Sequence, residues 1–178
     1  ELQLLKNVSE SESIAQSVEH NNGVFIVPAF TGLGAPYWNM DARGIITGLT
    51  RGSNRQHIVR AALESIAFQV KDLLDIIKLD MNQRITMLKV DGGAVKNNFL
   101  MQFQSDILNI KIEQPTNIES TALGVGILAG LGIGFWDDIE DIIRKSKTNR
   151  LFTPEMSEKR RSHLNHHWER AISQSQKY

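Results

Sequence analysis

The chain has 178 residues, 41% of them hydrophobic and 22% charged, enough for one domain with a sizeable core and ordinary for a soluble globular protein. Lys+Arg and Asp+Glu stand at 20 each, so the balance favours neither nucleic acid nor an anionic membrane surface as a partner. With no cysteine the chain has no disulfide, no thiolate metal site and no thiol nucleophile, a make-up compatible with the cytosol. Glu1 to Lys6 is neither a signal nor a transit peptide, and the stretch to about Asn7 reads as helix. Ser9-Glu10-Ser11-Glu12 then supplies a cap and an acidic first turn to a short helix ending near Val18. A turn at Asn21-Asn22-Gly23 leads into a short buried strand, Val24–Val27, closed by Pro28. Ala29 to Trp38 is a glycine-rich loop with aromatics, and Gly44–Leu49 is a second strand.

Ser53-Asn54-Arg55-Gln56 has the S-x-x-Q spacing of a capping box and predicts the start of the longest helix. Ile58, Ala62, Ile66, Val70, Leu73, Leu74 and Ile77 mark its apolar face. Next comes Ile85–Val90, an apolar run whose composition predicts a strand buried in a sheet. It breaks at Gly92-Gly93 and restarts as a helix from Asn98, with Phe99, Phe103 and Ile107 four apart. A strand, a glycine turn and a helix start place a ligand in the crevice beyond the strand's carboxyl end. Glycine there lets a flat or anionic ligand approach the backbone, and Asn97 can cap the helix while offering an amide. A Gly-Gly turn is a weak motif, however, and a tight turn that binds nothing fits the same residues.

Lys111–Gln114 alternates as a strand and stops at Pro115. Ala122–Trp136 is almost wholly apolar but shorter than the ~20 residues that span a bilayer, so it reads as a buried core helix. Asp137–Lys147 and the segment from Pro154 onward read as amphipathic helices, with the one plausible internal boundary near Asn149–Thr153. Gly124-Val125-Gly126 with Gly130 approaches a dinucleotide motif, but has one residue too many before the third glycine and reads instead as a close-packed helix. His163, His166 and His167 have helical spacing that suits a metal, yet a solvated helix face is the simpler reading. Arg43, Arg51 and Arg60 read as surface residues rather than phosphate ligands.

Three long motifs go beyond such general physics. Val27-Pro28-Ala29-Phe30-Thr31-Gly32-Leu33-Gly34-Ala35-Pro36-Tyr37-Trp38 resembles the glycerol kinases of the FGGY carbohydrate kinase family almost letter for letter. Gly44, Ile46, Gly48 and Leu49, followed by His57, Ile58, Ala61, Ala62, Leu63 and Glu64, fit the family's second signature. Val90–Val95 with Asn97–Asp106 is equally similar, as are Thr121–Gly124 and Gly134–Trp136. The resemblance runs from about Gly23 to Trp136 and more weakly to the C-terminus.

This resemblance implies an α/β fold: part of a ribonuclease-H-like, actin-like ATPase lobe, a mixed sheet flanked by helices. It divides the chain into a helical lead-in (1–22), the domain core (23–148) and a helical tail (149–178). The family moves the γ-phosphate of Mg-ATP to glycerol, giving glycerol 3-phosphate, so ATP, Mg2+ and glycerol are the expected cofactors and partners. A cytoplasmic homo-oligomer is expected, without nucleic acid or membrane. Gly93 and Asn97 are carried over as ATP contacts, with Gly92 behind them. No catalytic or metal-ligating residue is carried over. The family's general-base aspartate, its Thr-Gly phosphate loop and its glycerol-holding lobe have no counterpart here, so the chain alone is expected to be inactive. Two alternatives stand beside this: another FGGY sugar kinase, such as one acting on a pentulose, and a non-catalytic nucleotide-binding module.

Overall fold

Phe68, on the longest helix, is the residue about which the elements gather. Its ring stacks on Trp168 at 5.0 Å and 8°, meets Phe103 edge-on at 5.6 Å, and touches Phe25 at 5.9 Å. The computed structural model describes residues 3–81, 84–140, 142 and 148–177. Its helices are α1 (Ser11–Gln16), α2 (Arg55–Met81), α3 (Asn98–Leu108), α4 (Ser120–Gly132) and α5 (Glu158–Ser175). Its strands are β1 (Phe25–Val27), β2 (Ile45–Thr47), β3 (Met87–Lys89), β4 (Lys111–Pro115) and β5 (Thr148–Phe152). Phe68 therefore joins α2 to β1, α3 and α5 in one core.

The strands form two sheets. β1 and β2 pair antiparallel, Phe25 opposite Thr47. β3, β4 and β5 form a mixed sheet in that order. β3 and β4 run parallel with Leu88 opposite Ile112, which requires a crossover, and α3 provides it. β5 returns antiparallel along β4, Phe152 opposite Ile112. α3 ends where Asn109 takes a left-handed conformation, φ 54°, a common helix stop.

Several expectations need correction. Gln3–Asn7 is irregular rather than helical. α2 is capped by Asn54, not Ser53: the Asn54 side chain accepts from the His57 N–H at 3.1 Å, and the Asn54 N–H donates to His57 Nδ1 at 3.2 Å. Ser53 Oγ instead accepts from the Thr50 N–H. The Lys111 strand runs through Pro115, which pairs with Thr148 across an irregularity in register. β5, unmarked in the sequence because Asn149 and Arg150 interrupt its apolar pattern, fills the sheet beside β4. Most of the helix expected over Asp137–Lys147 lies outside the described residues.

Burial also departs from hydrophobicity. The face that α2 buries carries Val59, Ala61, Glu64, Ser65 and Phe68, whereas Ile66, Leu73 and Ile77 stay exposed, Leu73 by 43%. Where a buried strand was expected, β3 stands at the edge of the sheet among the described residues, with Met87 exposed and Leu88 half-buried. α4 buries only Gly130 and leaves Leu128 69% exposed, so it is not a core helix. At Gly130 the close-packing expectation does hold, since a Cβ there would lie 2.2 Å from the Trp136 ring.

Two polar clusters fix α2 in place. Buried Glu64 accepts from Arg60 Nε at 2.8 Å and from Asn21 Nδ2 at 2.9 Å. Arg60 Nη1 also donates to the Val18 carbonyl, tying α2 to the segment that follows α1. Burial pushes the Glu64 carboxyl up, while the Arg60 guanidinium pulls it back. A charge so deep is tolerable because its partner and remaining hydrogen bonds are all supplied.

Farther along α2, one carboxylate oxygen of Asp72 accepts from Tyr37 Oη and from Trp168 Nε1, each at 2.8 Å. The glycine-rich loop, α2 and α5 meet at that atom. Burial and the Asp72 carboxylate push the Tyr37 hydroxyl above the usual phenol range, keeping it a donor. Burial likewise pushes the Asp72 carboxyl up, with the Trp168 and Tyr37 hydrogen bonds opposing it.

Asp72→Ala strands the Trp168 N–H, a loss of about 2 kcal/mol for a buried donor, with a smaller loss at half-buried Tyr37. Asp72→Asn keeps an acceptor oxygen and costs less. Because the folded Asp72 holds its proton more tightly than the unfolded one, its contribution to stability falls as pH rises through its folded value. Asn cannot titrate, so denaturant melts of the full-length protein across the acid range should show that fall removed in Asp72→Asn. Equal losses for Ala and Asn would contradict this account of the cluster.

Candidate functional site

The chain leaves β3 at Val90, whose N–H still pairs with the Glu113 carbonyl at 3.1 Å. Gly92 then turns with φ 84° and ψ 176°, a region essentially confined to glycine, and its N–H donates to the Ile118 carbonyl at 2.7 Å. Gly93–Lys96 forms a single 3-10 turn, and Asn97 caps α3 by accepting the Leu100 N–H at 2.9 Å. The predicted strand, glycine turn and capped helix are thus all present. The two glycines differ in kind. Gly92 is required by its backbone, whereas Gly93 has an ordinary φ and a Cβ there would meet nothing within 4 Å.

Gly93 and Asn97 open together onto a cleft of about 490 Å³, which Ser11, Glu12, Ile66 and Lys96 also line. Gly92 is not among the lining residues; its backbone shapes the turn. The cleft has one charge of each sign, from Lys96 and Glu12, and the positive end of α3 at its floor. Such a site suits a ligand with a flat, partly apolar body and an anionic end.

Ser11 and Glu12 were legible only as helix-starting residues. Their place in the cleft comes from contacts 86 residues apart: Asn97 Nδ2 to Ser11 Oγ at 3.2 Å, and Asn98 Nδ2 to Glu12 Oε1 at 3.0 Å. Asn98 Oδ1 in turn accepts from Arg150 of β5 at 2.7 Å. No spacing rule links α1 to α3.

The other candidates lie elsewhere. A larger groove of about 650 Å³ between β1–β2 and α2 is lined mostly by apolar side chains such as Ile26, Pro28, Ile46 and Ile58, with Arg43 at its rim. It lacks the convergent polar groups of the smaller cleft. His163 and His166 are exposed on α5, and His163 meets the His167 ring edge-on at 4.5 Å. Burial and the neighbouring His163, Arg170 and His166 hold the His167 imidazole below its usual range. Among the described residues no group of three or more His, Asp or Glu side chains is placed to hold a metal ion. Arg60 is buried on Glu64 rather than at the surface. Among the described residues no helix is long and apolar enough to cross a membrane.

Comparisons with known proteins agree with this architecture. Residues 2–133 match the model of the FGGY family of carbohydrate kinases, C-terminal domain. A glycerol kinase from Desulfitobacterium hafniense is 54% identical over 98% of this chain and 35% of its own length. One from Caldanaerobacter subterraneus subsp. tengcongensis is 51% identical over 100% of this chain and 36% of its own length. The chain thus spans about a third of the length of the curated relatives it matches.

A crystal structure of Plasmodium falciparum glycerol kinase with ADP superposes with a TM-score of 0.85 and 40% identity, over 97% of this chain and 35% of that one. A ligand-bound xylulose kinase from Lactobacillus acidophilus reaches a TM-score of 0.77 at 23% identity, over 97% of this chain and 35% of that one, a likeness of fold alone. The α/β architecture is therefore that of part of an actin-like, ribonuclease-H-like ATPase lobe. The chain belongs to the FGGY family of carbohydrate kinases, within the family's C-terminal domain.

Proposed function

We propose that this chain is the ATP-binding part of a glycerol kinase, which transfers the γ-phosphate of ATP to glycerol and yields sn-glycerol 3-phosphate. One observation carries the reading. Identity to curated glycerol kinases is 49–54% over 98–100% of the chain, against 20–23% for the xylulose and gluconate kinases of similar fold. That contrast favours glycerol over a pentulose. That the similar Plasmodium falciparum glycerol kinase was solved with ADP supports nucleotide use by the protein. A non-catalytic module has no comparable support.

In this reading the nucleotide lies in the cleft beside Gly93 and Asn97. The missing Cβ of Gly93 lets the ligand approach the turn, and Asn97 offers its amide. Gly92 shapes the turn without touching the ligand. Magnesium would enter with the ATP and would supply charge neutralisation at its phosphates. Among the described residues no carboxylate cluster is placed to hold it. The same reading keeps the division into a lead-in (1–22), core (23–148) and tail (149–178), and a cytoplasmic homo-oligomer. The tail holds most of β5 and all of α5.

Phosphoryl transfer needs in-line positioning and charge neutralisation together, and the groups in this chain supply only the nucleotide side. The chain alone is therefore expected to give no glycerol-dependent ADP release in a coupled assay; turnover above a protein-free control would contradict this. In the full-length enzyme Gly93→Val should weaken ATP binding far more than glycerol binding, with little change in melting, because its side chain enters only the cleft. Gly92→Ala should instead destabilise the fold by about 1–3 kcal/mol, the cost of forcing a side chain into that backbone region. Titration of both ligands with parallel melts separates the two. A Gly93→Val protein that loses ATP and glycerol equally would remove the nucleotide from this turn.

A further inference from the structure

We infer that Ser11 is a positioning residue for the nucleotide: it holds the Asn97 amide so that the turn presents an N–H donor, and no carbonyl oxygen, to the cleft. The inference rests on the nucleotide reading above and goes beyond it by assigning the polarity of the contact. Asn97 Oδ1 is already engaged, accepting the Leu100 N–H at 2.9 Å as the cap of α3. Asn97 Nδ2 gives one hydrogen to Ser11 Oγ at 3.2 Å. Ser11 can only accept in that contact, because its own hydroxyl hydrogen goes to the Val8 carbonyl at 2.6 Å. The serine is 5% exposed, so water does not take its place.

A primary amide has two N–H donors, which leaves one on Asn97 for a ligand in the cleft that Ser11 and Asn97 both line. Flipping the amide would point its NH2 at the Leu100 N–H, donor against donor, and would turn its oxygen toward Ser11, whose hydrogen is engaged elsewhere. Both contacts therefore select the same orientation. Asn97 then binds an acceptor atom of the nucleotide, a ring nitrogen or a sugar oxygen, and not an exocyclic amino group.

The neighbouring pair provides an internal control. Asn98 Nδ2 donates to Glu12 Oε1 at 3.0 Å, tying the same two helices together, yet Asn98 does not line the cleft. In the full-length enzyme, assayed for KM of ATP, KM of glycerol, kcat and melting temperature, Ser11→Ala should raise the KM for ATP about three- to tenfold, the range of one net hydrogen bond, and leave the KM for glycerol unchanged. Asn98→Ala should lower the melting temperature without moving either KM. Asn97→Ser keeps a capping oxygen but no amide, and should raise the KM for ATP at least as much as Ser11→Ala.

If Ser11→Ala and Asn98→Ala raise the KM for ATP alike, or Ser11→Ala raises both KM values together, the serine is merely structural and the inference is overturned. If Asn97→Ser raises the KM for ATP and Ser11→Ala does not, positioning by Ser11 is overturned while the nucleotide reading stands. If neither variant moves the KM for ATP, the nucleotide reading fails and this inference with it.

Discussion

The hydrogen bond from the Leu100 N–H to Asn97 Oδ1 is a small interaction on which several parts of the molecule depend. It starts α3, which is the crossover that makes β3 and β4 parallel neighbours. It fixes the rotation of an amide whose nitrogen reaches α1, and so brings the N-terminal segment against the turn. It also decides what the cleft can offer a ligand. An N-cap typically contributes about 1 kcal/mol to stability, so this one bond is modest in energy; its importance lies in how many elements share it.

The turn is held from behind by the packing of α2. Ile66 and Leu63 of that helix line the same cleft, and the helix is fixed at one end by Glu64 and Arg60 and farther along by Phe68 and Asp72. Both anchors hold polar atoms whose partners come from other elements: Asn21 and Val18 for the first, Tyr37 and Trp168 for the second. Removing one partner leaves a buried group unpaired, which makes these clusters exacting about register. The signature residues Tyr37 and Glu64 thus belong to the packing of the helix behind the cleft, not to its lining.

Much of the chain was legible as local chemistry. The β3–turn–α3 unit could be read from an apolar run, two glycines and an asparagine, because each residue type has few alternatives in that order. What periodicity does not reveal is what a face meets. The most apolar row of α2, through Ile66, Leu73 and Ile77, lies exposed, while Arg60, Glu64 and Ser65 are buried because they find partners. α4 misled in the same way: an almost wholly apolar sequence implies burial, yet only Gly130 is buried, against Trp136. β5 was missed because its side chains are polar, exposed or paired outward until Phe152. The cleft's α1 side was missed because it rests on contacts between residues far apart in sequence.

The central claim is that the turn after β3 receives the nucleotide, with α1 as the opposite wall. Amide hydrogen exchange on the full-length protein, with and without saturating ADP, tests it most directly. The account predicts that ADP slows exchange through Gly93–Leu100 and Val8–Glu12 together, and leaves the α5 segment around His163–His167 unchanged. Slowed exchange confined to other parts of the protein, with Gly93–Leu100 unaffected at saturation, would contradict it.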